Sequence, residues 1–133
     1  MSCLSPSVIG RSPGYDPQTA LQLCGHLDTV HNDHAPGRIT DGLVVGRGAA
    51  DMKSGLAAIA HTVRALRDAR RLADTSLLVT AYGQHEEAVG DNALHAPLID
   101  LLRRGIVGRC AIVAEGPHEY LPLSGRGLVI FEA

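Results

Sequence analysis

The chain has 133 residues, 45% of them hydrophobic and 20% charged, which suits one globular domain that buries roughly two-thirds of its unfolded surface. Its net charge of −2, without any block of Lys or Arg, argues against a nucleic-acid or membrane-surface partner and favours a small molecule or a peptide. The three cysteines form no CxxC pair, the first residues lack signal-peptide features and no apolar run reaches membrane-spanning length, so we expect a soluble, cytoplasmic protein.

The amino-terminal part is predicted to hold one buried strand among turns and loops. Residues 1–18 are rich in Ser, Pro and Gly without a sustained period, which predicts an extended or flexible segment. The compact apolar stretch 21–24 predicts a buried strand that delivers His26 at its carboxyl end. Between residues 29 and 50, the density of turn formers predicts loops around one short strand at residues 43–45.

The central part contains the clearest periodic pattern. From Ser54 onwards, apolar residues recur at three- and four-residue spacing with charged residues on the other side, which predicts an amphipathic helix. Arg70 and Arg71 form its basic last turn, which suits the negative end of a helix dipole. Residues 76–82 are nearly all apolar and too few for a helix, so they predict a second buried strand.

The remaining residues continue the alternation of helices and strands. Residues 93–104 predict a helix interrupted near Pro97, residues 111–114 predict a third buried strand, and residues 127–133 have strand character. The order of strand, loop, helix, strand, helix and strand predicts an α/β fold with layers packed on a mainly parallel sheet.

Acidic and imidazole side chains occur at the ends of the predicted strands. His26, the pair Glu86-Glu87 and Glu115 follow three separate strands, and Asp51 lies just before the long helix. Because ligands of parallel α/β sheets bind beyond the carboxyl ends of the strands, we expect these side chains to meet at one edge. That edge is the predicted active site.

These residue types suit a pair of divalent metal ions. Imidazole and carboxylate together favour zinc, cobalt or manganese, and the two oxygens of Asp51 can bridge two ions. Asp28, two residues after His26, can accept a hydrogen bond from the second imidazole nitrogen and fix its tautomer. Two ions about 3.5–4 Å apart can hold a water and lower its pKa towards about 7. The pattern therefore indicates hydrolysis.

The adjacent glutamates are expected to divide two tasks. Neighbouring side chains leave the backbone in different directions, so one of Glu86 and Glu87 can bind metal while the other stays free as a base. A free base takes the proton of a water and returns it to a leaving amine, which is the general acid–base pattern of amide hydrolysis.

Taken in order, these motifs resemble the co-catalytic zinc aminoacylases and carboxypeptidases, which include acetylornithine deacetylase, succinyl-diaminopimelate desuccinylase and glutamate carboxypeptidase. The matching stretches are Gly-His-Leu-Asp-Thr-Val at 25–30, Gly-Arg-Gly-Ala-Ala-Asp-Met-Lys-Ser-Gly at 46–55, and Glu86-Glu87. A looser match is Val-Ala-Glu-Gly-Pro at 113–117. The resemblance covers residues 19–133, and several ordered motifs carry more weight than an isolated one.

The resemblance implies a set of metal ligands. By this similarity His26 and Glu115 bind one zinc ion, Glu87 binds the other, and Asp51 bridges the two. Cobalt or manganese can replace zinc at such ligands. A cis peptide bond between Asp51 and Met52 is also implied.

The resemblance further implies the catalytic roles and the fold. Glu86 is expected to be the general base and Asp28 to orient His26. The expected fold is an incomplete three-layer sandwich of the phosphorylase/hydrolase type. The expected substrate is an N-acyl amino acid or a peptide.

The chain departs from the family pattern in its extent. Complete members continue into a lid domain that dimerises and binds substrate, and they supply a late His to the second metal. We therefore expect residues 19–133 to be a partial catalytic domain, and a homodimer only for a full-length member. The stretch Tyr82-Gly83-Gln84-His85 lacks the acidic residue often found before the glutamates. We assign no role to His85 or to the other histidines outside the motifs, His31, His34, His61, His95 and His118.

Simpler roles exist for each motif taken alone. Asp51 can be a helix N-cap, Glu86-Glu87 a solvated loop pair, and Glu115 part of a turn. The stretch 46–55 lacks the Gly-Lys-Ser/Thr of a phosphate loop, so nucleotide binding is not expected. Two functions therefore stay open: a metal-dependent amide hydrolase, and a catalytically silent chain that binds metal weakly or serves a partner.

Overall fold

The computed structural model describes residues 6–87 and 94–115. Its strands are β1 (Val8–Arg11), β2 (Leu21–His26), β3 (Arg38–Thr40), β4 (Leu43–Val45), β5 (Leu77–Tyr82) and β6 (Cys110–Val113), and its helices are α1 (Ser54–Asp68) and α2 (Ala96–Arg103). The described fold is α/β, as predicted, with a mixed but mostly parallel sheet and two helices.

Strand β2 lies at the centre of a four-stranded sheet of order β1-β5-β2-β6. It runs parallel to β5 along its whole length, from the Leu21–Leu77 pair to the His26–Tyr82 pair. On its other side it runs parallel to β6. The parallel pairing brings the carboxyl ends of β2, β5 and β6 to one edge, as the strand order along the sequence predicts.

One helix packs on each face of the sheet, as the contacts of β5 show. Leu77 packs in a cluster with Ile59 of α1, whereas the next residue, Leu78, packs with Leu101 of α2. Successive side chains of a strand point to opposite faces, so the two helices contact different faces. This explains why β2 and β5 are buried along nearly their whole length.

Strand β1 corrects the expectation that the first residues are an extended or flexible segment without anchoring. It pairs antiparallel with β5, from Val8 opposite Ala81 to Arg11 opposite Leu78. Ser12 extends the contact, because its backbone N–H donates to the Leu77 carbonyl at 3.0 Å. Four residues are too short to show a period, so the sequence pattern gave no sign of the strand.

Strand β6 corrects the expectation of a third buried strand. All four of its residues are exposed, and β2 is its only partner within residues 6–87 and 94–115. An apolar run of this length fits an edge strand as well as a buried one, and burial depends on neighbours that the run itself does not specify. The predicted strand at residues 127–133 lies outside the described residues.

Strands β3 and β4 form a separate antiparallel hairpin. The sequence predicted only β4. Its tight turn consists of Asp41 and Gly42, which both have positive φ, at 50° and 76°. A turn with two positive φ values suits the right-handed twist of the flanking strands.

The sequence explains where α1 ends and where α2 begins. Helix α1 ends at Asp68, earlier than the predicted basic last turn, because Arg70 adopts a positive φ of 56°. Helix α2 begins at Ala96, so Pro97 lies in its first turn and does not interrupt it. The expected interruption is therefore wrong, and residue 93 lies outside the described residues. Neither helix has the length and apolar character needed to cross a bilayer.

Candidate metal centre

His26 is the last residue of β2 and its side chain is fully buried at the carboxyl edge of the sheet. Its Nε2 atom lies 2.9 Å from Asp51 Oδ1, 3.5 Å from Glu86 Oε1 and 3.6 Å from Glu115 Oε1. One imidazole nitrogen therefore faces three carboxylates that come from three different segments. This is the convergence that the strand-end positions predict.

The other nitrogen of His26 contacts Asp28. His26 Nδ1 lies 3.1 Å from the backbone carbonyl of Asp28 and 3.4 Å from its Oδ1. Since a carbonyl oxygen only accepts, Nδ1 carries the proton, and Nε2 is the atom available to a metal. The sequence predicted that the carboxylate would orient the ring, whereas the nearer acceptor is the carbonyl of the same residue.

Burial lowers the pKa of His26, but the Asp51 hydrogen bond and the charges of Glu115, Asp28 and Asp51 outweigh it and raise the pKa overall. The metal-free imidazole is therefore drawn towards the protonated form, in which both nitrogens donate. A divalent cation at Nε2 satisfies the same carboxylates with the imidazole neutral.

The carboxylate of Asp28 has a second function that the sequence did not indicate. Its Oδ2 accepts hydrogen bonds from the backbone N–H groups of His85 and Glu86, each at 2.9 Å. Burial raises the pKa of Asp28. The two N–H groups and the nearby His26 lower it by more than burial raises it, so the pKa of Asp28 lies below its ordinary value. Asp28 thus fixes the segment that carries Glu86.

Asp51 is held by a wide turn at Ala49–Lys53, which contains the cis Asp51–Met52 peptide bond that the resemblance implies. Met52 is fully buried, and its sulfur accepts the backbone N–H of His26 at 3.0 Å. Gly25 permits this approach, because a Cβ there would lie 2.3 Å from Met52 Cε. The Gly-His pair and the Asp-Met pair of the two motifs therefore interlock.

His85 joins the site, although sequence reasoning gave it no role. Its ring stacks on that of His26, with centroids 4.4 Å apart and planes 19° from parallel. His26, His85, Glu86 and Glu115 offer ligand atoms that all lie within 4.8 Å of one another. The only sequence indication was that His85 immediately precedes the two glutamates.

Glu87 lies apart from this group. Its carboxylate contacts the backbone N–H and the imidazole of His31, at the surface. The His31 N–H and then its imidazole lower the pKa of Glu87. The structure thus brings His26, Asp28, Asp51, Glu86 and Glu115 together and leaves Glu87 outside, so its assignment to a second metal stays a prediction.

The donor set fits a zinc-type ion. Imidazole nitrogens and carboxylate oxygens are the ligands of catalytic zinc, cobalt and manganese sites, and no thiol or ammonium belongs to the described group. A histidine that binds a metal through one ring nitrogen usually donates a hydrogen bond from the other, and His26 Nδ1–H donates in this way to the Asp28 carbonyl.

A cavity of about 590 Å³ lies between the hairpin and the start of α1. Its lining includes three cations, Arg38, Arg47 and Lys53, and no carboxylate. Lys53 Nζ donates to the Leu27 carbonyl at 2.8 Å, which places this end of the cavity beside His26 and Asp28. No ion pair among the described residues involves these three cations.

Comparisons with known proteins agree with this geometry. The chain is 41% identical over 75 residues to a succinyl-diaminopimelate desuccinylase of Corynebacterium glutamicum, covering 56% of this chain and 20% of that one. It is 30% identical over 135 aligned positions to an N-formyl-4-amino-5-aminomethyl-2-methylpyrimidine deformylase of Bacillus subtilis, covering 94% of this chain and 30% of that one. The chain thus spans less than a third of the length of either relative.

No solved structure gives a significant match. The sequence model of peptidase family M20/M25/M40 matches residues 23–122, which include every member of the group around His26. The chain therefore belongs to peptidase family M20/M25/M40.

Proposed function

We propose that this chain carries the metal centre and the general base of a hydrolase that cleaves the amide bond of an N-acyl amino acid or a peptide. The observation that carries the proposal is the convergence of Asp51, Glu86 and Glu115 within 3.6 Å of one imidazole nitrogen, His26 Nε2. Membership of a peptidase family supports the same chemistry.

His26, Asp51 and Glu115 are the proposed ligands of the first ion, with Asp51 also bridging to a second ion at Glu87. Zinc is the proposed metal, with cobalt or manganese as substitutes. When bound, such an ion polarises the amide carbonyl and lowers the pKa of a water.

Glu86 is the proposed general base. Its carboxylate takes a proton from the attacking water and then gives it to the leaving nitrogen. Asp28 positions this carboxylate through the Glu86 backbone N–H and orients His26 through its own carbonyl. One residue thereby sets the relative position of the metal ligand and the base.

The substrate is proposed to bear a carboxylate besides the amide. The cavity beside the site presents Arg38, Arg47 and Lys53 without an acidic neighbour in its lining. The names of the two relatives, a desuccinylase and a deformylase, both describe removal of an acyl group. An acyl chain with a terminal carboxylate would bring its charge to these cations.

We infer that residues 19–133 belong to a three-layer α/β sandwich catalytic domain, and that the full-length protein forms a homodimer. The packing of α1 and α2 on different faces of β5 supports the layered arrangement.

A catalytically silent, metal-binding role is the second candidate. The observation that favours it is the contact of Glu87 with His31, which leaves the second metal without this ligand in the described arrangement. Metal binding without hydrolysis would support this candidate over the first.

The test combines calorimetry with zinc and an assay for amine release from N-succinyl and N-acetyl amino acids. We expect zinc binding that Asp51→Ala abolishes, and amine release that chelation removes and zinc restores. Asp68→Ala is the matched control, because Asp68 is an exposed carboxylate of α1 whose only ion pairs among the described residues are with Arg64 and Arg67 of that helix. Amine release that persists after exhaustive chelation contradicts the proposal.

A further inference from the structure

We propose that His85 is a metal ligand of this chain, beside His26 and Glu115. This inference rests on the metal-dependent function proposed above. It adds a second imidazole to a site for which the sequence indicated only one.

The first argument is the geometry of the ligand atoms. The rings of His26 and His85 are stacked nearly parallel, with centroids 4.4 Å apart, and each offers a ligand atom within 4.8 Å of the other. His85 Nε2 points to the same carboxylate as His26 Nε2 does, because it lies 4.0 Å from Glu115 Oε2. One cation between these three side chains satisfies both imidazoles and the carboxylate at once.

The second argument is that packing alone leaves His85 poorly satisfied. Its Nδ1 is buried and has no hydrogen-bond partner in residues 6–87 and 94–115. His95 Nδ1 is buried and unpartnered in the same way, and the two ring centroids are 4.8 Å apart. A metal-bound imidazole usually donates its other N–H to an acceptor, and His95 is the imidazole that lies next to this side of His85.

The third argument is that the backbone holds both imidazoles in place. The His85 N–H donates to Asp28 Oδ2 at 2.9 Å, the same carboxylate that fixes Glu86. The His95 N–H donates to the Gln84 carbonyl at 2.7 Å. These two bonds anchor the backbone of both residues, which keeps their imidazoles beside that of His26.

The consequence is that His85 becomes the fourth proposed ligand of the first ion within the described residues, beside His26, Asp51 and Glu115. Two imidazoles and two carboxylates are donors that zinc accepts, and a zinc ion that expands to five ligands still takes a water or a substrate. Glu86 then remains free as the base. Such a site holds one ion without a histidine from a later part of the chain.

Cobalt(II) titration of the 133-residue chain tests this inference. In proton NMR, each cobalt-bound imidazole contributes one strongly shifted exchangeable N–H signal, so we expect two such signals from the unaltered chain. We expect one signal from His85→Ala and from His85→Phe, with a cobalt affinity lowered by more than about 10-fold. The phenylalanine variant keeps a ring against His26 and so separates ligation from stacking.

His61→Ala is the control, because His61 is an exposed histidine of α1, and it should keep both signals. Circular dichroism confirms that each variant is folded. If the chain binds cobalt with the same affinity and the same signals after either His85 substitution, His85 is not a ligand and the proposed function stands. If the unaltered chain binds no cobalt, both proposals are wrong.

Discussion

At the scale of single residues, Asp28 contacts both the proposed metal ligand His26 and the segment that carries the proposed base Glu86. Its carbonyl accepts from His26, and its carboxylate accepts from the backbone of His85 and Glu86. The His-x-Asp spacing predicted the first contact in outline, because two residues along a chain can reach back to an imidazole. The second contact depends on a segment 57 residues away, which no local pattern specifies.

Asp28→Ala should destabilise the fold by about 2–4 kcal/mol, because it leaves two backbone N–H groups in a mostly buried position without their charged acceptor. Urea unfolding followed by circular dichroism measures the change. Asp74→Ala is the control, since Asp74 is 73% exposed and contributes only a long surface ion pair. Equal stability of the two variants would show that the Asp28 contacts contribute nothing to the folded state.

The same carboxylate should make stability depend on acid pH. Its pKa is lowered in the folded chain from the ordinary value of 3.8, so its stabilising contribution is complete above that value. The contribution is lost as the pH falls through the lower, folded pKa. Unfolding free energies between pH 2.5 and about 6 should fall more steeply at the acid end for the unaltered chain than for Asp28→Asn. Parallel pH profiles would contradict this assignment.

At the scale of elements, the sequence predicted those whose pattern is local. Helix α1 and strands β2 and β5 were predicted because a period or a continuous apolar run marks them. Strand β1 was missed and β6 was expected to be buried, because pairing and burial depend on distant neighbours. The cis Asp51–Met52 bond was expected from the resemblance to a family and not from any propensity.

Gly25→Ala should damage the junction between β2 and the turn at Ala49–Lys53. The new Cβ would lie 2.3 Å from Met52 Cε and 2.8 Å from Met52 Sδ, so the side chain of Met52, which is fully buried, would have to shift within the core. We expect a loss of about 1–3 kcal/mol of stability, typical of overpacking, together with weaker zinc binding. Calorimetry and urea unfolding measure the two effects.

Gly10→Ala is the matched control in the same sheet. A Cβ at Gly10 meets only Val79 Cβ at 3.7 Å, an ordinary contact, so this substitution should be neutral or slightly stabilising. Unchanged zinc affinity in Gly25→Ala would show that the site tolerates movement of Met52.

At the scale of the whole molecule, the hairpin and the start of α1 line a cavity that carries three cations beside the candidate metal centre. The sequence showed the site residues because their motifs are contiguous, but it did not show the cavity, which forms only when the hairpin folds over the helix. Nor did it show the positions of His85 and Glu87, because adjacent residues of a loop can point to opposite sides.

Arg38→Gln should weaken binding of an N-succinyl amino acid by about 2- to 5-fold, the effect of up to about 1 kcal/mol expected for an exposed ion pair. Binding of the N-acetyl counterpart should not change, because it lacks the second carboxylate. Calorimetry at low and high salt measures both ligands. Arg64→Gln is the control, since Arg64 lies on α1 outside the cavity lining. Equal losses of affinity for both ligands would show that Arg38 contacts a group that the two ligands share and not the carboxylate of the succinyl group.

The register of the sheet limits how the length of this chain can vary in evolution. Cys24 of β2 pairs with Val113 of β6, and two residues further on each segment reaches a member of the site, His26 and Glu115. Because side chains alternate between the two faces, insertion or deletion of one residue within either strand would turn one of these groups to the opposite face. A change of length by two residues keeps the face but moves the group by about 6.6 Å along the strand, so changes of length are expected in the loops and not in these strands.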